Sequence, residues 1–192
     1  VGGVKFYERT EVKDVISYLR LVANENDDFS LKRVINRPKR GLGKISLAKI
    51  EKIAFENKFS LFEAICALDE SDKELSKKIV SALDEFAANL KELKECGSAY
   101  ELIDKLEAKF GIKKYYESLP DGSERVANID EFYAMIKDQI KQDPSFSIEE
   151  FLNEIALQSE QDNIGGEAIS IMSIHASKGL EFEHLFVIGL EE

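Results

Sequence analysis

Apolar residues return every three or four positions through most of the chain, the spacing that gathers them on one face of an α-helix. Such stripes run through Val12, Val15, Ile16, Leu19 and Val22, and through Leu102, Ile103, Leu106 and Phe110, with Gly111 as a stop. Others run through Phe132, Met135, Ile136 and Ile140, and through Phe151, Leu152 and Ile155. The clearest is Ile79, Leu83, Phe86, Ala87, Leu90 and Leu93, which leaves Lys77, Lys78, Asp84, Glu85, Lys91 and Glu92 for solvent. Helix starts are marked by a serine with glutamate three places on, at Ser60/Glu63, Ser71/Glu74, Ser98/Glu101 and Ser147/Glu150. In that pattern the two side chains satisfy amides that the helix itself cannot.

The texture changes towards the end of the chain. Residues 169–174 and 185–188 are short β-branched or wholly apolar runs, the signature of buried parallel strands, and a turn-rich stretch at 161–166 precedes them. Two strands do not make a stable sheet by themselves. The pattern therefore predicts a mainly α fold: a helical domain over 23–163, with an incomplete α/β portion formed by the two chain ends, 1–22 and 164–192.

With 192 residues, 44% of them apolar, the chain can bury a real core. Its apolar runs fall far short of the roughly 20 residues a membrane helix needs, and no leader pattern opens it, so the sequence predicts a cytoplasmic protein with no membrane partner. Cys66 and Cys96 are isolated, which gives no disulfide framework or metal motif. The net charge of −11 speaks against a protein that coats nucleic acid over its whole surface. Yet residues 29–50 hold no acid and carry Lys32, Arg33, Arg37, Lys39, Arg40, Lys44 and Lys49. Screening confines each charge to about 10 Å or less, so one basic patch on an acidic body still grips phosphates.

Two segments could carry chemistry. In Arg37-Pro-Lys-Arg-Gly-Leu-Gly-Lys44, Pro38 disfavours helix before it, and a helical pattern resumes near Ile45. A helix, hairpin, helix follows, in which Gly41 and Gly43 let backbone approach a phosphate and the free amides of the next helix favour an anion. Solvated lysines beside an ordinary turn are the competing reading. The second segment, residues 172–182, ends one apolar run before another begins, and loops at strand ends are where α/β sheets bind ligands. Read alone, it is equally a plain strand connection. Tyr115 and Tyr116 could stack on bases but read better as partial core, and Asp27 and Asp28 read as loop and cap residues. Asp69 and Glu70 follow a helical run and read as a helix-end charge cluster, and no Gly-x-x-x-x-Gly-Lys-Ser/Thr loop is present to cradle a triphosphate.

Residues 172–182, Met-Ser-Ile-His-Ala-Ser-Lys-Gly-Leu-Glu-Phe, closely resemble motif V of UvrD/PcrA/Rep-type superfamily 1A DNA helicases, with Ser173 in place of the usual threonine. The stretches 2–21, 26–28 and 34–43 resemble the same family's passage from subdomain 2A into 2B. The resemblance implies a segment of an ATP-dependent 3′ to 5′ helicase of DNA repair or replication, with a RecA-like 2A piece at each end of a helical 2B subdomain. Carried over by position, Ser173 and His175 contact single-stranded DNA, and Gly179 and Glu181 lie against ATP; Lys178 belongs to the motif without an assigned ligand. Arg37, Lys39, Arg40, Gly41, Leu42, Gly43 and Lys44 form the duplex-binding element. It further implies ATP and Mg²⁺ in the parent helicase, neither bound by this segment alone, and repair or replication accessory proteins as possible partners. Three other readings stay open: a stand-alone helix-hairpin-helix DNA-binding module, an acidic helical interaction domain, and the 2B subdomain of an AddA-type recombination helicase.

Overall fold

A computed structural model describes residues 4–68, 75–143, 145–161, 177 and 184–187. The described residues form a mainly α fold. Its helices are α1 (Val4–Tyr7), α2 (Thr10–Ala23), α3 (Asp28–Val34), α4 (Lys44–Asn57), α5 (Leu61–Cys66), α6 (Lys77–Lys94), α7 (Ala99–Phe110), α8 (Ile112–Glu117), α9 (Gly122–Gln142) and α10 (Ile148–Gln161).

Local chemistry sets the helix ends. At Ser60 the full reciprocal cap forms, the hydroxyl accepting from Glu63 N–H (3.1 Å) and the Glu63 carboxylate accepting from Ser60 N–H (2.7 Å). Ser98 caps α7 in the same way, but Glu101 reaches back to the N–H of Gly97 instead (3.1 Å). Ser147 accepts from Glu150 N–H at 3.4 Å. The Ser71/Glu74 pair lies outside the described residues, and the cap of α6 is Ser76. Gly111 ends α7 at φ +60°, the left-handed conformation that glycine adopts without a Cβ penalty. Asp27 caps α3 through Ser30 N–H (3.0 Å), while Asp28 accepts from Leu61 N–H (2.8 Å) and so ties α3 to α5.

Around α2 the other helices assemble. It packs against α1, α3, α6, α9 and α10, and Val12, Val15, Tyr18, Leu19 and Leu21 are wholly buried. The long stripes of α6, α7 and α9 close the core, with Leu83, Leu90, Leu106, Phe132 and Ile136 fully buried, and the six polar positions expected outside on α6 are exposed. Tyr116 is buried and Tyr115 packs against the core. Cys66 and Cys96 are free.

Two features differ from expectation. On α2 the polar side is buried as well, including Glu11 and Asp14, because α3, α8 and α9 bring arginine, tyrosine and asparagine side chains to meet those acids. Leu185, Phe186 and Val187, expected in a buried strand, are exposed and unpaired as strand; an apolar run becomes a strand only where neighbouring strands complete its ladder. Residues 169–174 lie outside the described residues.

Candidate nucleic-acid interface

Between α3 and α4 the chain makes a tight hairpin, and one side chain organises it. Asn36 accepts through Oδ1 from the N–H groups of Arg40 (2.7 Å) and Leu42 (3.3 Å), and donates through Nδ2 to the Leu42 carbonyl (2.6 Å). Leu42 is then driven into the core. Gly41 beside it sits at φ +79°, where an L side chain would be strained. The Arg37–Pro38 peptide is cis.

The basic residues of this segment separate into two groups. Arg40 turns inward: Nη1 donates to the carbonyls of Ile35 (2.9 Å), Val34 (3.1 Å) and Pro38 (3.2 Å), and Nη2 donates to Tyr18 Oη (2.9 Å). Its guanidinium lies 4.8 Å from the Phe86 ring centre and 5.5 Å from that of Phe110, a cation–π arrangement in the core wall. Arg37 and Arg33 both reach Asp14, at 3.2 Å and 2.7 Å, and Lys32 pairs with Glu51 at 2.7 Å. Burial lowers the Arg37 pKa, but the Asp14 carboxylate outweighs it and holds the value above normal.

Lys39 and Lys44 form the other group. Both are exposed, flank Gly41 and Gly43 in sequence, and make no ion pair among the described residues. Gly43 is the N-cap of α4 and supplies no side-chain cap, so the first amides of a 14-residue helix lack the partner a serine would give them. A Cβ placed on Gly41 or Gly43 would meet nothing within 4 Å, so the backbone here faces open space. Ile45, on the first turn of α4, is 76% exposed. Open amides, a positive helix end and two unpaired lysines form a surface suited to anionic oxygen.

Of the hairpin residues singled out in the sequence, the structure leaves Lys39, Gly41, Gly43 and Lys44 exposed. Arg40 and Leu42 point inward, and Arg37 stands at the edge on Asp14. Sequence reasoning missed Asn36, Asp14 and Tyr18, which build the hairpin's frame. The available signal was two acids, Glu11 and Asp14, in a helix otherwise rich in apolar residues. Ser173, His175, Lys178, Gly179 and Glu181 lie outside the described residues.

Comparison with known proteins places the chain in a family. Residues 1–192 match the model of the UvrD-like helicase C-terminal domain. The chain is 40% identical over 207 residues to the ATP-dependent DNA helicase PcrA of Bacillus subtilis, covering 100% of this chain and 28% of that protein. It is 38% identical over 200 residues to the PcrA proteins of Staphylococcus aureus (strain NCTC 8325 / PS 47) and Staphylococcus epidermidis, covering 100% of this chain. It spans 27% of the Staphylococcus aureus protein, so only about a quarter of these relatives' length is represented. The chain belongs to the UvrD-like helicase C-terminal domain family.

Proposed function

We propose that this chain supplies the duplex-gripping part of an ATP-dependent DNA helicase, with the hairpin 36–44 and the start of α4 as its phosphate-binding surface. One observation carries the reading: α4 opens at an uncapped glycine, within an acid-free segment, between two exposed lysines. Backbone amides and lysine ammonium groups bind phosphate oxygens without reading bases, so binding is independent of sequence and steeply dependent on salt. In this reading Arg40, Leu42 and Arg37 hold the loop in shape, while Lys39, Gly41, Gly43 and Lys44 make the contacts.

The family's relatives named above are ATP-dependent DNA helicases, and we extend that activity to the parent of this chain. Within it, residues 23–163 act as the 2B subdomain, and 1–22 and 164–192 belong to the RecA-like 2A domain. Motif V lies in the latter, with Ser173 and His175 on single-stranded DNA and Gly179 and Glu181 against ATP. Translocation is 3′ to 5′. ATP hydrolysis needs a triphosphate loop and Mg²⁺-binding acids that this sequence does not carry, so the isolated chain is expected to be inactive as an ATPase.

Fluorescence anisotropy with a short duplex, over a series of salt concentrations, tests the binding role. Affinity should fall linearly on a log-log plot against salt, and Lys39→Ala and Lys44→Ala should each flatten the slope by about 1. Undetectable duplex binding at low salt would transfer the role to the acidic helical surface and its protein partners.

A further inference from the structure

Asn36 sets the hairpin's internal shape, and contacts outside the hairpin set how it sits on the body of the protein. Besides the α3 carbonyls and the Phe86 and Phe110 rings that hold Arg40, the hairpin is anchored by two polar side chains of α2, Asp14 and, one helical turn later, Tyr18. Asp14 is 1% exposed; it accepts hydrogen bonds from Arg37 Nη1 at 3.2 Å and from the Tyr116 hydroxyl of α8, and Arg33 Nε lies 2.7 Å away as an ion pair without hydrogen-bond alignment. Tyr18 is fully buried, donates to the Arg37 carbonyl at 2.6 Å and accepts from Arg40 Nη2 at 2.9 Å. Burial of its ring pushes the Tyr18 hydroxyl up to about 12, so it remains a donor throughout the working pH range. Arg33 precedes the hairpin at the end of α3, Arg37 lies on its incoming limb and Arg40 at its turn. The two α2 side chains therefore grip the loop at each stage of its path.

We infer that Asp14 and Tyr18 are positioning residues that seat the hairpin on α2 and so set the angle at which Lys39, Lys44 and the first amides of α4 meet a duplex. This rests on the phosphate-binding role proposed above. Neither residue touches the outward surface. An unpaired carboxylate would be costly at this depth, and an acid packed beneath the basic segment weakens nonspecific attraction for DNA, so a purely electrostatic view gives Asp14 nothing to contribute. Its value lies in geometry: a fixed carboxylate with two guanidinium partners holds an orientation that charge alone cannot.

Asp14→Asn and Tyr18→Phe in the 192-residue chain test the inference, since both keep side-chain shape. Arg33 and Arg37 have side chains 25% and 43% exposed, so water can take up the charge that Asp14→Asn leaves behind. Two readouts are paired. Duplex affinity by anisotropy should fall about tenfold in Asp14→Asn and about threefold in Tyr18→Phe. Amide hydrogen exchange should quicken at Arg40 and Leu42, whose N–H groups Asn36 holds, while the amides of α6 and α9 keep their protection. Affinity within twofold of the parent in both variants, or tighter binding with a steeper salt slope in Asp14→Asn, would overturn the positioning role. So would exchange that quickens evenly across all helices in both variants. If Asp14→Asn does not fold, Tyr18→Phe decides alone on the same two readouts. Lys39→Ala/Lys44→Ala separates the two ideas: binding lost there but unchanged in the α2 variants defeats only the positioning role. A parent chain that fails to bind duplex defeats the phosphate-binding role, and the exchange pattern still decides the seating.

Discussion

Lys39 and Arg40 are neighbours with the same charge, and the fold gives them opposite tasks. Arg40 places its guanidinium against three carbonyls, a phenol and two aromatic rings, which only a planar, multi-donor cation can satisfy together. Truncation in Arg40→Ala removes the guanidinium donor from the Ile35 and Pro38 carbonyls, while Val34 keeps the Arg37 N–H, and should cost about 3 kcal/mol by urea unfolding. Lys39→Ala should change stability by less than about 0.5 kcal/mol while weakening duplex binding. Nothing in the run Lys-Arg-Gly distinguishes the two in advance, since composition records charge and not direction. Glu107 shows a second residue-scale effect, in the cleft between α7 and α9. Desolvation raises its carboxyl above the ordinary value, more than the Lys113 N–H, the nearby lysine charge and the Tyr133 hydroxyl lower it. A folded pKa above the unfolded one means stability that is complete below the unfolded value and is lost as pH rises through the folded one. Glu107→Gln keeps an acceptor and cannot ionise, so thermal melts should show it gaining on the parent as pH rises above the ordinary carboxylate range. Parallel melting curves across that range would show that Glu107 has no such part.

At the scale of elements, the helices with long one-sided stripes are readable in the sequence. The stripes at 79–93 and 102–110 correspond to α6 and α7, and Gly111 ends α7 in the conformation only glycine adopts easily. In α9, by contrast, the stripe begins at Phe132 but the helix starts at Gly122, because residues 122–131 are largely polar and pack on α2 and α8 through Asn128, Arg125 and Ile129. The burial of α2 on its polar side was equally hidden: Glu11 and Asp14 acquire partners from positions as far away as Asn128 and Tyr116, which local periodicity does not reach. In the hairpin, Gly41 and Gly43 were legible as glycines, and their different duties were not. Gly41→Ala should cost about 1 kcal/mol despite open space around it, because the cost comes from the positive φ. Gly43→Ser is expected to stabilise α4 by a few tenths of a kcal/mol through a new cap and to weaken duplex binding, because the serine oxygen takes the amide that a phosphate would use. A variant that gains stability with unchanged affinity would show that those amides do not bind DNA.

At the scale of the whole molecule, an acidic body with one basic, acid-free segment is the arrangement expected of a protein that meets DNA along a single edge. The chain belongs to the UvrD-like helicase C-terminal domain family and its described residues are mainly helical, while the segment 172–182 that resembles motif V lies, apart from Ser177, outside the described residues. The most direct measurement is amide chemical-shift mapping on the isotopically labelled chain as a short duplex is titrated in at low salt. The largest shifts should fall on residues 39 to 46, and raising the salt should reverse them together. Shifts centred on another surface, with the amides of Gly41, Gly43 and Ile45 unmoved at saturation, would contradict a duplex-gripping hairpin.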